Sequence, residues 1–290
     1  MRLFHNASYK FIEARRKAYV VSGIVLGAGI VFMTLNVVNI GSWQNYGVDF
    51  TGGSLIQIQV YENLTAGDLR DALSGSNEIT RFGEENEFVV RAPVAEDGSI
   101  GAVADEVEAQ LAAAFGQDAF EVVRTEQVGA KVGGELQLKA LYAILFSFLL
   151  TLIYLAIRFE LRFGMAAVIA TLHDILITLG FLAAFQVEIA LPTVAAILTI
   201  LGYSLNDTIV VFDRIRENMH KKGARKRNPV DLVNQSINET LPRTVLTSGT
   251  TLAVLLALLI LGGAVISDFT MVLILGVIIG TYSSIFVASP

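Results

Sequence analysis

The sequence predicts a polytopic α-helical membrane protein of six transmembrane helices with one ferredoxin-like α+β domain in βαββαβ order. Three observations lead there. Of the 290 residues 53% are hydrophobic and only 17% charged, and the mean hydropathy is +0.60. Six apolar stretches are long enough to cross a bilayer core, which takes about 20 residues as helix. A polar insert of about a hundred residues separates the first stretch from the second. This composition excludes an ordinary soluble enzyme.

The spans follow in order. Ala18 to Ile40, Ala140 to Ile157, Thr244 to Ser267 and Phe269 to Pro290 contain no charged residue. Phe163 to Val187 is interrupted only by His173 and Asp174, and Ile189 to Phe212 only by Asp207. Basic residues orient the helices. Five precede the first span, two (Arg158, Arg162) follow the second, and eight lie from Arg214 to Arg243, fifteen of the chain's twenty-one. The segment Val38 to Leu138 holds five basic residues against seventeen acidic ones, a net of −12. Both termini are therefore expected in the cytoplasm, with an acidic domain outside. That acidity argues against nucleic acid as a partner.

The first span has the layout of a signal sequence, a basic region before an apolar one, but its apolar stretch is too long and no small-residue cleavage site follows. It reads as an uncleaved anchor. Residues 1–17 form the cytoplasmic N-terminus, in which Phe4 to Lys17 has the pattern of a short amphipathic helix lying in the headgroup layer. The first transmembrane helix takes 18–40, the outer domain 41–137, and a five-helix bundle 138–290 with a cytoplasmic loop at about 213–238. The chain has no cysteine, so the outer domain has no disulfide.

Within the insert, Ser54 to Val60 alternates as a strand, and Thr65 caps a helix running through Leu73. Glu78 to Phe82 and Glu87 to Arg91 read as two strands joined by a short turn. Ser99 caps a second helix through Phe115, after a linker containing Pro93, Glu96, Asp97 and Gly98. Phe120 to Val128 is the last strand. That order is the split βαβ motif. No nucleotide, cofactor or metal motif occurs in it, so the domain reads as a binding or lever module. The basic loop (Lys221, Lys222, Arg225, Lys226, Arg227) reads as an anchor near anionic lipid, and Gly276 and Gly280 at GxxxG spacing as bundle packing.

Three polar sites fall at membrane depth. A charged side chain at the centre of a spanning helix costs about 2.5 to 3.5 kcal/mol to insert, so it persists only where it faces protein or water, or binds a proton. His173 and Asp174 sit mid-span. Asp207 lies six residues before Asp213, about 9 Å of helix, within the cytoplasmic half of its span, with Asn206 beside it and Ser204 and Thr208 on much the same face. Arg243 opens the fifth span, where Thr244, Thr247 and Thr251 share one face. An ionised carboxylate removed from water takes up a proton or finds a cation, which pairs Asp207 with Arg243, and a switch between those two states is a transport cycle. A static interhelical pair is the structural alternative. An intramembrane aspartyl dyad of Asp174 and Asp207 is a further one, and GYSLND lacks the GxGD setting such proteases use, while HExxH and a nucleophile elbow are absent. The chain is not expected to be an enzyme.

Several motifs together resemble one family. YGVDFTGG (Tyr46 to Gly53), VGAKVGGEL (Val128 to Leu136), RFE (Arg158 to Glu160), HD (His173, Asp174), GYSLNDTIVVFDRIREN (Gly202 to Asn218), TLPRTVLTSGTT (Thr240 to Thr251) and GTYSSIFVAS (Gly280 to Ser289) are similar to the SecF branch of the SecD/SecF protein-export family. The resemblance covers nearly the whole chain. It implies six spans in the bacterial cytoplasmic membrane, a ferredoxin-like periplasmic domain, and a complex with SecD related to the RND transporters. It also implies use of the proton or sodium gradient to draw preproteins out of the SecYEG channel, with YajC and YidC as further partners. By the same resemblance Asp207 and Arg243 match the family's ion-relay positions, with His173, Asp174, Asn206, Ser204 and Thr247 as supporting polar groups. Pro242 departs from the family's usual residue, so the fifth helix either starts there or kinks. The sequence stops at Pro290, and any cytoplasmic tail lies beyond it. The function classes are an ion-driven motor subunit, a non-conducting assembly subunit, and half of an RND-type exporter.

Overall fold

A computed structural model describes residues 7–61, 64–73, 77–82, 86–92, 102–223, 227–263 and 266–290. The elements are α1 (Phe11–Ile40), α2 (Val48–Thr51), β1 (Gly53–Val60), α3 (Ala66–Ala72), β2 (Glu78–Arg81), β3 (Glu87–Ala92), α4 (Ala102–Phe115) and β4 (Phe120–Val128). Then come α5 (Ala130–Arg158), α6 (Leu161–Phe185), α7 (Leu191–His220), α8 (Pro229–Leu261) and α9 (Ser267–Ser283), the last continuing as a π turn over Ser284–Ala288. Six helices, α1 and α5 to α9, are long and apolar enough to cross a membrane.

The four strands form one antiparallel sheet in the order β2-β3-β1-β4. Alternation in β1 points Ile56, Ile58 and Val60 to one face, where they meet Phe88, Val90, Leu69, Val107 and Leu111 in a closed core under α3 and α4. Thr65 starts α3 with a capping box: its hydroxyl accepts from Asp68 N, and the Asp68 carboxylate accepts from Thr65 N at 2.7 Å. The Thr65 hydroxyl, which also donates to Asp68 Oδ2 at 2.7 Å, and the Thr65 N–H together hold the Asp68 carboxyl below its ordinary range. The expected cap at Ser99, and the linker with Pro93, Glu96, Asp97 and Gly98, lie outside the described residues.

The root of this domain is fastened to the bundle. Gly47 N donates to Ile189 O at 3.0 Å and Ile189 N to Asn45 O at 2.8 Å, a short parallel bridge. Asp49 Oδ2 accepts from Leu191 N at 2.8 Å, at the opening of α7, an anion placed at the positive end of the helix dipole. Arg91 of β3 forms an ion pair with Glu188. Burial pushes the Glu188 carboxyl up, against the pull of Arg91. A Cβ on Gly47 would stand 2.2 Å from Glu188 Oε1, and one on Gly133 2.9 Å from Phe50 O, so Gly47 of YGVDFTGG and Gly133 of VGAKVGGEL mark close approaches at this joint.

In the bundle, α6 and α7 are the most enclosed spans and α5 the least. α1 crosses α6 at Gly29 and Gly180, where a Cβ on Gly180 would lie 2.7 Å from Gly29 Cα. On α9, Gly276 admits Ile200 and Gly280 admits Ser204, so the GxxxG pair is the crossing of α9 with α7.

Several sequence expectations need correction. Of the segment Phe4 to Lys17 expected as a separate short helix, residues 4–6 lie outside the described residues, and Phe11 to Lys17 is the first two turns of α1. Its open amides are capped from α8, by Asn238 Oδ1 on Tyr9 N and Asn234 Oδ1 on Ile12 N, both at 2.9 Å. The loop expected at 213–238 is mostly helix, because α7 runs on to His220 and α8 begins at Pro229. Charged residues end an apolar run without ending a helix: Arg158 to Asp213 at 2.9 Å and Arg214 to Glu239 at 2.6 Å pair the ends that project beyond the apolar stretches. Pro242 lies inside α8, so the fifth span does not start there.

Candidate functional site

Two polar clusters are built where α1, α6, α7, α8 and α9 meet. The first centres on Asp174, 1% exposed. Its Oδ1 lies 2.9 Å from His173 Nδ1. Its Oδ2 accepts from Ser204 of α7 at 2.5 Å and from Ser283 of α9 at 2.7 Å. His173 Nε2 reaches Ser22 of α1 at 3.0 Å, and Ser22 Oγ lies 3.1 Å from the hydroxyl of Tyr282. Tyr282 donates to Ala18 O at 2.8 Å, and its ring stacks on His173. The two glycine crossings explain how hydroxyls of α7 and α9 reach the Asp174 carboxylate and that of α1 reaches His173: without Cβ atoms at Gly180 and Gly280 the backbones come within side-chain reach.

The second cluster centres on Asp207, 3% exposed. Ser248 of α8 lies 3.4 Å from Asp207 Oδ2 and 2.7 Å from Thr281 Oγ1, while Thr281 donates to Val277 O at 2.7 Å. Among the described residues no other hydrogen bond to the Asp207 carboxyl occurs, and no cation lies within ion-pair distance of it.

The remaining expected residues fall elsewhere. Arg243 is exposed on α8; its guanidinium acts electrostatically on Asp207 but makes no direct ion pair with it, because Thr244 and Ser248, one turn apart, take the face toward the bundle. Thr247 is half-buried and donates to Arg243 O at 3.0 Å. Asn206 is exposed on α7, about 100° round the helix from Asp207. Thr208 bonds the Ser204 carbonyl at 3.2 Å rather than Asp207. Asp174 and Asp207 share no hydrogen bond among the described residues. Sequence reasoning missed Ser22, Tyr282, Ser283, Ser248 and Thr281. Ser248, Thr281, Tyr282 and Ser283 lie inside the motifs TLPRTVLTSGTT and GTYSSIFVAS, and a lone hydroxyl among apolar residues was the signal at Ser22.

Comparison with known proteins follows the same lines. The family described as protein export membrane protein SecD/SecF, C-terminal, matches residues 107–290, and the SecD/SecF GG motif matches residues 45–60. The chain is 43% identical to the protein translocase subunit SecF of Gemmatimonas aurantiaca, covering 100% of this chain and 88% of that one. It is 45% identical to that of Desulfurispirillum indicum (96% and 89%) and 41% identical to that of Escherichia coli O157:H7 (97% and 86%). A crystal structure of SecDF, a translocon-associated membrane protein from Thermus thermophilus, superposes with a TM-score of 0.85 at 37% identity over 100% of this chain. SecDF in a super-membrane-facing form gives 0.67 over 98%. The chain spans 38% of the length of each SecDF chain. With its motifs, its six apolar helices and its four-stranded sheet in hand, this multi-pass membrane chain belongs to the SecF branch of the SecD/SecF family of protein-export membrane proteins.

Proposed function

We propose that this chain is the SecF-type subunit of a SecD–SecF complex that assists the Sec translocon, and that it uses the proton or sodium motive force to pull preproteins across or into the cytoplasmic membrane. It acts as a motor subunit and not as an enzyme. The charge asymmetry of the sequence supports cytoplasmic termini and a periplasmic sheet domain, and the strand order β2-β3-β1-β4 supports reading that domain as ferredoxin-like. Likeness to SecDF chains supports SecD as the partner. SecYEG, YajC, YidC and anionic lipid belong to the same reading.

The observation that carries it is the shared hydroxyl at Asp207. Ser248 has one proton and two acceptors, Thr281 at 2.7 Å and Asp207 at 3.4 Å. When Asp207 is ionised, Ser248 turns to it; when Asp207 binds a proton, it donates to Ser248 and Ser248 donates to Thr281. Binding one proton therefore reorders the contacts of α7, α8 and α9 together. A charge crossing the full field releases about 2.3 kcal/mol per 100 mV, enough to shift a two-state equilibrium tens of times over.

Exposed Asn206 and Arg243 favour a partner bundle opposite α7 and α8, since a polar side chain facing lipid is costly. The test is Asp207→Asn in vesicles with the partner and the channel. Gradient-dependent export is expected to fail while the complex assembles normally, and Asp207→Glu is expected to retain some function. Normal export by Asp207→Asn with the complex intact would give the case to the non-conducting assembly reading.

A further inference from the structure

We propose that His173 is a second proton-binding site of this chain, taking up one proton at Nε2 as the Ser22 hydroxyl turns from His173 to Tyr282. The inference rests on the proton-driven reading above and adds a site to it. Its basis is a count of hydrogens. The Asp174 cluster contains six contacts: Tyr282 to Ala18 O at 2.8 Å, Tyr282 to Ser22 at 3.1 Å, Ser22 to His173 Nε2 at 3.0 Å, His173 Nδ1 to Asp174 at 2.9 Å, and Ser204 and Ser283 to Asp174 at 2.5 and 2.7 Å. Ser283 also lies 3.2 Å from Gly280 O, and its hydrogen takes the shorter contact.

With a neutral imidazole carrying its hydrogen on Nδ1, the cluster owns five hydrogens, four hydroxyls and one N–H. Ser22 then donates to Nε2, Tyr282 donates to Ala18 O, and the contact between Ser22 and Tyr282 has none. Add one proton at Nε2 and every contact is filled in a single direction: Nε2 donates to Ser22, Ser22 to Tyr282, and Tyr282 to Ala18 O. One hydroxyl turns and nothing else moves. Ser204 and Ser283 both donate to Asp174 Oδ2, which leaves Oδ1 to accept the Nδ1 hydrogen.

His173 and Ser22 each keep 7% exposure and Tyr282 is half-buried, whereas Ser204 and Ser283 are sealed. The titratable neighbours are few. Asp174 is on α6 itself, Tyr282 is on α9, and Asp207 is one turn from Ser204 on α7. α1 has no charged residue from Ala18 to Ile40, α5 carries its charges near its ends at Lys131, Glu135, Lys139 and Arg158, and the π turn Ser284–Ala288 has none. The incoming proton is therefore compensated by Asp174. Its effect is felt by α1, the helix that leads directly into the root of the sheet domain.

The test uses the full chain in liposomes with His5 and His220 replaced by Gln, leaving His173 as the only imidazole among three histidines. Nitrogen-15 magnetic resonance of that ring is followed between about pH 5 and pH 8. Nε2 is expected to pass from unprotonated to protonated on acidification while Nδ1 keeps its hydrogen. Tyr282→Phe removes the acceptor for the turned hydroxyl and is expected to move the transition toward acid by up to about one pH unit. An Nε2 that stays in one state throughout, a ring that loses its Nδ1 hydrogen as Nε2 gains one, or a transition indifferent to Tyr282→Phe overturns the proposal. Repeating the titration in Asp207→Asn separates the two ideas: a His173 transition that persists there sustains this one whatever becomes of export.

Discussion

Asp207 and Arg243 lie on neighbouring helices and form no ion pair, yet the guanidinium is near enough to act electrostatically on the carboxyl. Ser248, which meets Asp207, stands five residues along α8 from Arg243, about 140° round the helix. Asp207 therefore looks into the bundle of its own chain while Arg243 looks out of it. A relay that uses both has to include whatever covers the outer face of α8.

Arg243→Ala is accordingly expected to leave the isolated chain as stable as before, within about 0.5 kcal/mol, as for a surface substitution. Its association with a SecD-type partner should weaken. Co-purification at matched expression, together with thermal unfolding of the chain alone, checks both halves. A large loss of stability in the chain alone would mean that Arg243 serves the inner bundle.

Gly180→Leu should separate α1 from α6. A Cβ there would lie 2.7 Å from the Gly29 backbone, which has no flexible end to move aside. Overpacking of this kind costs about 1 to 3 kcal/mol. A lowered melting temperature in detergent, accompanied by loss of the contact between Ser22 and His173 in the imidazole spectrum, is the expected pair of results.

Gly47→Ala meets a softer obstacle, the carboxyl end of Glu188. The side chain is expected to give way and to release Arg91, loosening the sheet domain from the bundle without unfolding either. Amide exchange should quicken at the bridge of Gly47 and Ile189 and remain slow at Ile56 and Ile58. Equal quickening in both places would show that the domain itself had come apart.

Asp68 gives a pH dependence with a definite sign. Its folded-state carboxyl is held below the ordinary range by Thr65, so the contribution to α3 is present above the usual aspartate pKa of about 3.9 and is lost as pH falls through the lowered folded value. Exchange of the Leu69 amide should speed up on acidification through that window. Thr65→Ala should cost about 1 kcal/mol at neutral pH, as loss of an N-cap does, and should remove much of the acid sensitivity.

The sequence by itself determined the periodic features. Charge-free apolar runs mark helices that cross a bilayer, because lipid cannot satisfy a backbone amide and the helix must do so itself. Alternation in Ser54 to Val60 marks β1, and Thr65 with Asp68 marks the start of α3, because strand pleat and helix capping are local geometry. Asp174 and Asp207 were legible as sites because a carboxylate in an apolar run is costly wherever it points.

Which way it points was decided by the tertiary structure. Ser204 was grouped with Asp207 from its spacing on α7, yet the hydroxyl goes to Asp174 of α6, because Gly280 lets α9 in on one side and α6 closes the other. Arg243 was paired with Asp207 by charge and by resemblance, and the rotation of α8 about its axis, set by Thr244 and Ser248 packing inward, leaves the guanidinium exposed and beyond ion-pair distance while still near enough to act electrostatically on the carboxyl. Helical spacing fixes the angle between two residues of one helix. It does not fix how that helix is turned against its neighbours, and that rotation, chosen by glycine crossings and buried hydroxyls far apart in the chain, selects which polar groups share a proton.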